Sequence, residues 1–125
     1  MSDYETGMKT RGEVLGDEHV ERASAGAGAF GEPFQELITG YAWGAIWSRP
    51  GLDRRIRSAI TLAVLTSLRA ENELGMHVRA ALRNGLSAEE IAEVLLHTAV
   101  YAGVPAANAA FAVAQRVLRE QGAIE

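Results

Sequence analysis

Two side chains in the middle of this chain could move a proton together. Glu73 and His77 lie four residues apart, and residues at that spacing are neighbours on one face of a helix. A carboxylate beside an imidazole orients the ring, fixes its tautomer and raises its basicity. The pair is therefore our candidate for acid–base catalysis. The alternative is a solvated surface pair, which contributes only a few tenths of a kcal/mol to helix stability.

Two further pairs of ring side chains show the same spacing. His97 and Tyr101 lie at the end of an apolar stretch, where a single histidine is typical of a hydrogen-bonded core residue. Alternatively, His97 and Tyr101 could line a pocket and bind a carboxylate. The pair Trp43 and Trp47 is typical of a core or a subunit interface, although Trp47 could also form one wall of a site.

Four arginines fall within nine positions, at 49, 54, 55 and 57. Arginine binds carboxylates through a two-pronged fork. We expect Arg57 and Arg49 to contact an anionic ligand, Arg57 because it lies one turn beyond Arg54 and beside an apolar helix segment. The alternative is a solvated, basic helix start whose arginines form salt bridges with acidic side chains.

A metal site built from Glu73, His77 and His97 is another interpretation of these residues. It needs three ligands in a tetrahedral or facial arrangement. The sequence contains no recognised metal motif such as His-Glu-x-x-His. We therefore predict no metal site.

The composition narrows the class of protein. There is no cysteine, which excludes disulfides, thiol catalysis and thiolate metal sites. The net charge is −4 without a basic stripe, which disfavours nucleic acid as a partner. The N-terminus is polar and acidic, unlike a signal peptide, and no apolar run approaches the ~20 residues that span a membrane. We expect a soluble, cytoplasmic protein without a nucleic-acid or membrane partner.

The elements that must position these side chains have helical spacing throughout. Ser2 and Glu5 form a capping box for a first helix, which we expect to end near Leu15 at Gly16 and which Gly7 weakens. The apolar spacing, caps and breakers predict further helices at about 19–23, from 33 to 47, from 54 to 68, over 73–83, from 88 to 102 and from 105 onwards.

One of these helices, between residues 56 and 68, is apolar on nearly all sides, which is typical of a central buried helix. No segment alternates in the way a strand does. We therefore predict a single all-α domain over residues 1–125, with six to seven helices. Its alanine-rich helix faces leave little side-chain volume for a core, so we also expect a homo-oligomer.

Four stretches, in this order and spacing, resemble the carboxymuconolactone decarboxylase family, which also contains alkylhydroperoxidase D. They are residues 41–52 (YAWGAIWSRPGL), 57–63 (RSAITLA), 73–81 (ELGMHVRAA) and 101–108 (YAGVPAAN), with Phe111 beyond the last. The resemblance covers nearly the whole chain. It implies an alkylhydroperoxidase D-like helical domain with a central antiparallel helix pair, assembled as a trimer or hexamer.

The resemblance also implies an activity. It is a cofactor-free decarboxylation of 4-carboxymuconolactone, a small dicarboxylate lactone, to the β-ketoadipate enol-lactone and carbon dioxide during protocatechuate breakdown. It implies that His77, oriented by Glu73, donates the proton or stabilises the oxyanion. The substrate would be held by residues among Arg57, Arg49, His97, Tyr101 and Trp47.

The chain departs from the peroxidase branch of the family at three positions. Ala70 and Glu73 stand where that branch has its two cysteines, so thiol peroxidase chemistry is excluded, and Ser58 stands where it has a glutamate. Two alternatives remain open. One is a decarboxylase or isomerase of the same fold that acts on another carboxylated lactone or keto acid. The other is a non-catalytic, oligomeric module that binds small anions.

Overall fold

The computed structural model describes residues 2–125, which contain α-helices, one π-helical segment and no strand. The all-α prediction is therefore confirmed. The described chain forms two compact units, one up to Asp53 and one from Arg54 to Glu125. The first contains α1 (Asp3–Leu15), α2 (Asp17–Ile38) and a π-helical segment (Thr39–Trp47). The second contains α3 (Arg54–Ser67), α4 (Glu71–Arg83), α5 (Ala88–Ala102) and α6 (Val104–Glu120).

Helix α1 begins and ends at the predicted residues. The Ser2 hydroxyl accepts a hydrogen bond from the Glu5 amide at 3.1 Å, and Gly16 ends the helix with a φ of 91°. Gly7 does more than weaken the helix. A Cβ atom at Gly7 would lie 1.9 Å from the Thr39 carbonyl oxygen, so this glycine lets α1 approach the backbone of the π-helical segment.

The region between Gly16 and the π-helical segment contains two helical segments, as predicted, but they are longer than expected and together form α2. They meet at a kink at Gly28, where φ is 58° and ψ is −168°. Only glycine adopts such a conformation readily. Pro33 lies shortly after the kink, inside α2 rather than at its start. Proline there cannot donate the backbone hydrogen bond that a residue inside a helix normally makes.

The second unit is built around a core shared by its four helices. Helices α3 and α4 contact each other and are joined by residues 68–70 alone, as in a helical hairpin. The Asn84 side-chain amide at the end of α4 donates to the Ser58 hydroxyl on α3 at 3.1 Å. The largest fully buried core side chains are Leu62, Leu74, Val78, Ile91 and Leu95.

Two helix caps shape the turn between α4 and α5. Gly85 adopts a φ of 104°, and the Leu86 amide donates to the Ala81 carbonyl at 3.0 Å. These contacts complete a Schellman end to α4. Ser87 and Glu90 form a reciprocal capping box at the start of α5. Together the two caps fix the direction in which α5 leaves the turn.

The prediction that α3 is a central buried helix is wrong for the described chain. Only Ser58, Leu62 and Thr66 are buried on α3. An exposed apolar stripe runs along successive turns of α3 and ends just beyond it; it consists of Ile56, Ile60, Val64 and Leu68. The sequence pattern reports apolar side chains on all sides of a helix, but it does not tell whether the same chain covers them.

No helix in residues 2–125 combines the length and the apolar character that crossing a membrane requires.

Candidate active site

The candidate acid–base residue His77 lies on the inward face of α4. Leu74 and Val78 on the same face belong to the core of the second unit, and they hold this side of α4 against α3 and α6. His77 keeps only 8% of its surface exposed. A nearly enclosed imidazole interacts more strongly with a charged neighbour than an exposed one does, because less water screens the interaction.

Glu73 lies one turn before His77 on α4, as predicted, but the two side chains are not in contact. Across residues 2–125, no hydrogen bond or ion pair joins the Glu73 carboxylate to His77. Glu73 is exposed, so water competes for hydrogen bonds to its carboxylate oxygens. A contact between exposed charged side chains at this spacing contributes little to stability. The predicted orienting contact is therefore not formed in this structure.

His97 is exposed rather than buried, so its interpretation as a core residue is wrong. Its ring lies 5.3 Å from the ring of Tyr101, measured between centroids, at an angle of 45°. Tyr101 is also largely exposed. His97 lines an open groove of about 490 Å³ whose walls are side chains of α3 and α5, among them Ile60 and Val94. The binding of a ligand by His97 and Tyr101 stays a prediction.

The arginines at the start of α3 have different surroundings. Arg57 is half-buried. Arg55 is held by the α5 start: it donates through Nη2 to Glu90 Oε2 at 2.5 Å, and through Nη1 to Glu90 Oε1 at 3.2 Å and to the Gly85 carbonyl. The Arg55 hydrogen bonds, together with the Ser87 amide, lower the pKa of Glu90 to about 2. Arg55 therefore joins the start of α3 to the start of α5, in agreement with the salt-bridge alternative for these arginines.

The remaining predicted residues, Trp47 and Arg49, lie in the first unit. Trp47 is half-buried and Arg49 is exposed. The Trp47 ring packs beside the buried Trp43, with 5.1 Å between ring centroids and 32° between the ring planes. Trp43 therefore fits the packing role typical of such a pair. The ligand contacts of Trp47 and Arg49 stay predictions.

In the described part of the chain, no group of three or more His, Asp or Glu side chains comes close enough together to hold a metal ion. Glu73, His77 and His97 are thus not gathered in the way that the metal interpretation requires.

Sequence reasoning missed one polar side chain with an unusual environment. Arg11 on α1 is buried, and it donates hydrogen bonds to Gln35 and Thr39. A signal was present in the sequence. Arg11 follows Gly7 by one turn and precedes Val14 and Leu15 by one turn, so it occupies the inward face of an amphipathic helix.

These features define a small protein that is all-helical over residues 2–125, holds a nearly enclosed histidine in its second unit and lacks cysteine. Residues 32–116 match the model of the Carboxymuconolactone decarboxylase family. The chain belongs to this family.

Two curated relatives match almost the full length of the chain. One is a 4-carboxymuconolactone decarboxylase of Acinetobacter baylyi, 46% identical over 119 residues, which cover 95% of this chain and 89% of the relative. The other is a nitrosuccinic acid decarboxylase of Metarhizium robertsii, 46% identical over 117 residues, which cover 94% of this chain and 82% of the relative. Both are decarboxylases, and this chain is an enzyme of the same kind.

Proposed function

We propose that this chain decarboxylates 4-carboxymuconolactone to the β-ketoadipate enol-lactone and carbon dioxide, during the breakdown of protocatechuate. The observation that carries the proposal is the 46% identity with the Acinetobacter baylyi enzyme across 95% of this chain. Similarity of this extent includes every element that bears a candidate site residue.

The chemistry of this substrate defines what the protein must supply. The bond between the ring carbon and its carboxylate breaks, and the electron pair moves through the ring double bond to the lactone carbonyl oxygen. The resulting dienolate has the aromatic character of a 2-oxyfuran. A proton then adds to the carbon beside the carbonyl. The protein must therefore stabilise a developing oxyanion, deliver one proton and hold the second carboxylate.

We assign two roles to His77: it donates the proton, and it stabilises the developing oxyanion through a hydrogen bond. Histidine is the side chain that most often serves as a general acid or base, and His77 is nearly enclosed. Hydrogen bonds to a developing anion are strongest where water is excluded. Glu73 is exposed and one turn away, so we propose that it acts as the orienting carboxylate only once bound substrate has displaced the water around it.

The remaining carboxylate of the substrate needs a cationic or hydrogen-bonding partner. In the second unit, Arg57 is half-buried, His97 lines the groove between α3 and α5, and the Tyr101 ring lies beside the ring of His97. Guanidinium and imidazolium groups both bind carboxylates through charge-assisted hydrogen bonds. We propose these three residues as substrate-binding groups. Arg49 and Trp47 of the first unit remain predicted contributors.

A second candidate substrate is nitrosuccinic acid, because a nitrosuccinic acid decarboxylase is equally similar at 46% identity. Loss of the carboxylate beside its nitro group would place the electron pair on the nitro oxygens as a nitronate. The two substrates thus share a leaving carboxylate, an oxygen-bearing electron acceptor and a second carboxylate. The same site groups would serve both reactions.

The proposal is tested by measuring carbon dioxide release from freshly prepared 4-carboxymuconolactone and from nitrosuccinate. Wild type, His77→Gln and Glu71→Gln are compared after circular dichroism shows that each is folded. Loss of a positioned acid typically lowers kcat by about a hundredfold or more, and we expect this for His77→Gln. Glu71→Gln is the control, because Glu71 is exposed on the first turn of α4, where Arg69 lies 3.8 Å away.

The pattern of rates identifies the substrate. Faster release from the lactone supports the proposal, and faster release from nitrosuccinate supports the second candidate. A folded wild type that turns over neither compound contradicts both, and favours another carboxylated lactone or keto acid, or an anion-binding module. Undiminished turnover in His77→Gln would remove His77 from the mechanism.

A further inference from the structure

The strongest feature outside the proposed site is the arginine buried in the first unit. Arg11 keeps only 5% of its surface exposed. Its Nη1 group donates to Gln35 Oε1 at 3.0 Å and to Thr39 Oγ1 at 3.2 Å. Both acceptors are neutral, so they satisfy hydrogen bonds but leave the positive charge of the guanidinium uncompensated.

No carboxylate among residues 2–125 forms an ion pair with Arg11. Burial lowers the pKa of Arg11, and the nearby Tyr4 opposes this effect, but an arginine in a protein stays protonated. A buried cation without a counterion is strongly unfavourable. A stable arrangement of this kind is expected where a ligand supplies the missing negative charge.

Arg11 borders a cavity of about 350 Å³ formed within the first unit alone. Tyr4, Met8 and Arg11 line it from α1, and Thr39 lines it from the π-helical segment. The rest of the wall comes from α2 on both sides of the kinked Gly28. The volume lies within the range of small-molecule sites, and the kink in α2 gives the cavity its shape.

The unused hydrogen-bond donors of Arg11 suit a carboxylate. Its Nε and Nη2 groups donate to no residue among those described. These two groups lie on one edge of the guanidinium plane and point in parallel, which is the geometry that a carboxylate matches with its two oxygens. Because Nε is fully covered, contact with both oxygens requires a small movement of the side chain towards the cavity.

We propose that this cavity binds a small carboxylate, with the anionic end on Arg11 and a neutral or positively charged end towards Glu32 and Glu36. Both glutamates are exposed and line the cavity. They would repel a second negative charge on the ligand. The site therefore favours a different ligand class from the dicarboxylates of the proposed reaction, and it does not depend on that reaction.

The test is a nuclear magnetic resonance titration of the full chain. It is followed in wild type at the Nε–H signal of Arg11, and in wild type and every variant at the backbone amide signals of the residues that line the cavity. Three probes of similar size are used: propionate, β-alanine with a terminal ammonium, and succinate with a second carboxylate. We expect a saturable shift with β-alanine and propionate, and weaker binding of succinate. In Arg11→Met, binding should weaken at least about tenfold, as expected for loss of charge-assisted hydrogen bonds.

Two variants separate binding from folding. Arg11→Lys keeps the charge but loses the fork, so binding should fall to an intermediate level. Arg22→Met is the control, because Arg22 is an exposed arginine of the same unit, paired with Glu18, and its loss should leave binding unchanged. No saturable shift in wild type with any probe would overturn the proposal. The proposal would also be overturned if the Arg11 signal did not shift with any of the three anions but did shift on dilution of the protein. That result would identify a second copy of the chain as the occupant of the cavity.

Discussion

At the scale of single residues, Glu90 shows how one side chain can join two helices. Its carboxylate receives two hydrogen bonds from Arg55 at the start of α3 and one from the amide of Ser87 at the start of α5. These bonds favour the charged carboxylate and lower the pKa of Glu90 to about 2. The folded state thus binds this proton less readily than the unfolded chain does.

The stabilisation by Glu90 is expected to depend on pH. It is complete above the ordinary glutamate pKa of about 4.3, and it is lost as the pH falls through the folded-state pKa of about 2. We expect Glu90→Gln to be less stable than wild type at neutral pH and the difference to shrink as the pH falls through this window. Urea unfolding of wild type and Glu90→Gln, repeated from neutral pH down through this pH window, measures the difference in free energy of unfolding.

Glu89→Gln is the matched control for this experiment. Glu89 is the preceding residue, is exposed and makes no hydrogen bond or ion pair with residues 2–125. The Glu89→Gln variant should stay close to wild type across the same range. A difference between Glu90→Gln and wild type that stays constant with pH would show that the Arg55 contact does not stabilise the fold.

The candidate site could be predicted only in part at this scale. The spacing of Glu73 and His77 correctly placed them on successive turns of one helix, because helix geometry fixes which residues are neighbours. It did not predict that Glu73 makes no contact with His77, which depends on competition with water. The sequence also did not predict that His97 is exposed, because the burial of a side chain on α5 depends on which helices lie beside α5.

At the scale of elements, local signals predicted helix ends well and backbone irregularities poorly. Gly16 ends α1 with a positive φ angle as expected, because the end of a helix is set by local backbone requirements. The π-helical segment at Thr39–Trp47 was not predicted. It contacts α1 and α2, and contacts between elements are not encoded in a local sequence pattern.

The close approach of α1 to the π-helical segment gives a stability prediction for the first unit. A Cβ atom at Gly7 would clash with the Thr39 carbonyl at 1.9 Å, and a backbone atom cannot rotate away. Alanine favours a helix over glycine by about 1 kcal/mol, but forced overpacking costs about 1–3 kcal/mol or more. We expect Gly7→Ala to lower the free energy of unfolding of this unit.

Gly26→Ala is the control for Gly7→Ala, because a Cβ atom at Gly26 on α2 would meet nothing within 4 Å. We expect Gly26→Ala to be neutral or stabilising by up to about 1 kcal/mol. Chemical denaturation followed by tryptophan fluorescence reports on this unit, which contains Trp43 and Trp47. Equal stabilisation by the two variants would mean that the packing of α1 tolerates a side chain at Gly7.

At the scale of the whole molecule, apolar surface remains exposed in both units. In the first unit, Phe30, Phe34, Leu37 and Tyr41 are exposed along α2 and into the π-helical segment. In the second unit, α3 carries the stripe formed by Ile56, Ile60, Val64 and Leu68. Extended apolar patches of this kind typically mark interfaces. We propose that other copies of the chain cover the apolar stripe of α3, which this chain alone leaves exposed.

This proposal of a homo-oligomer, a trimer or hexamer, is tested by placing a charge in the α3 stripe. Val64 is 48% exposed in the middle of that stripe, so Val64→Glu should leave the core intact, while burying a carboxylate at an interface is strongly unfavourable. We expect wild type to sediment as an oligomer and Val64→Glu as a smaller species. Asn72→Glu adds the same charge at an exposed polar position of α4 and should keep the wild-type mass. A monomeric wild type at micromolar concentration would contradict the proposal, and an unchanged Val64→Glu oligomer would move the interface away from α3.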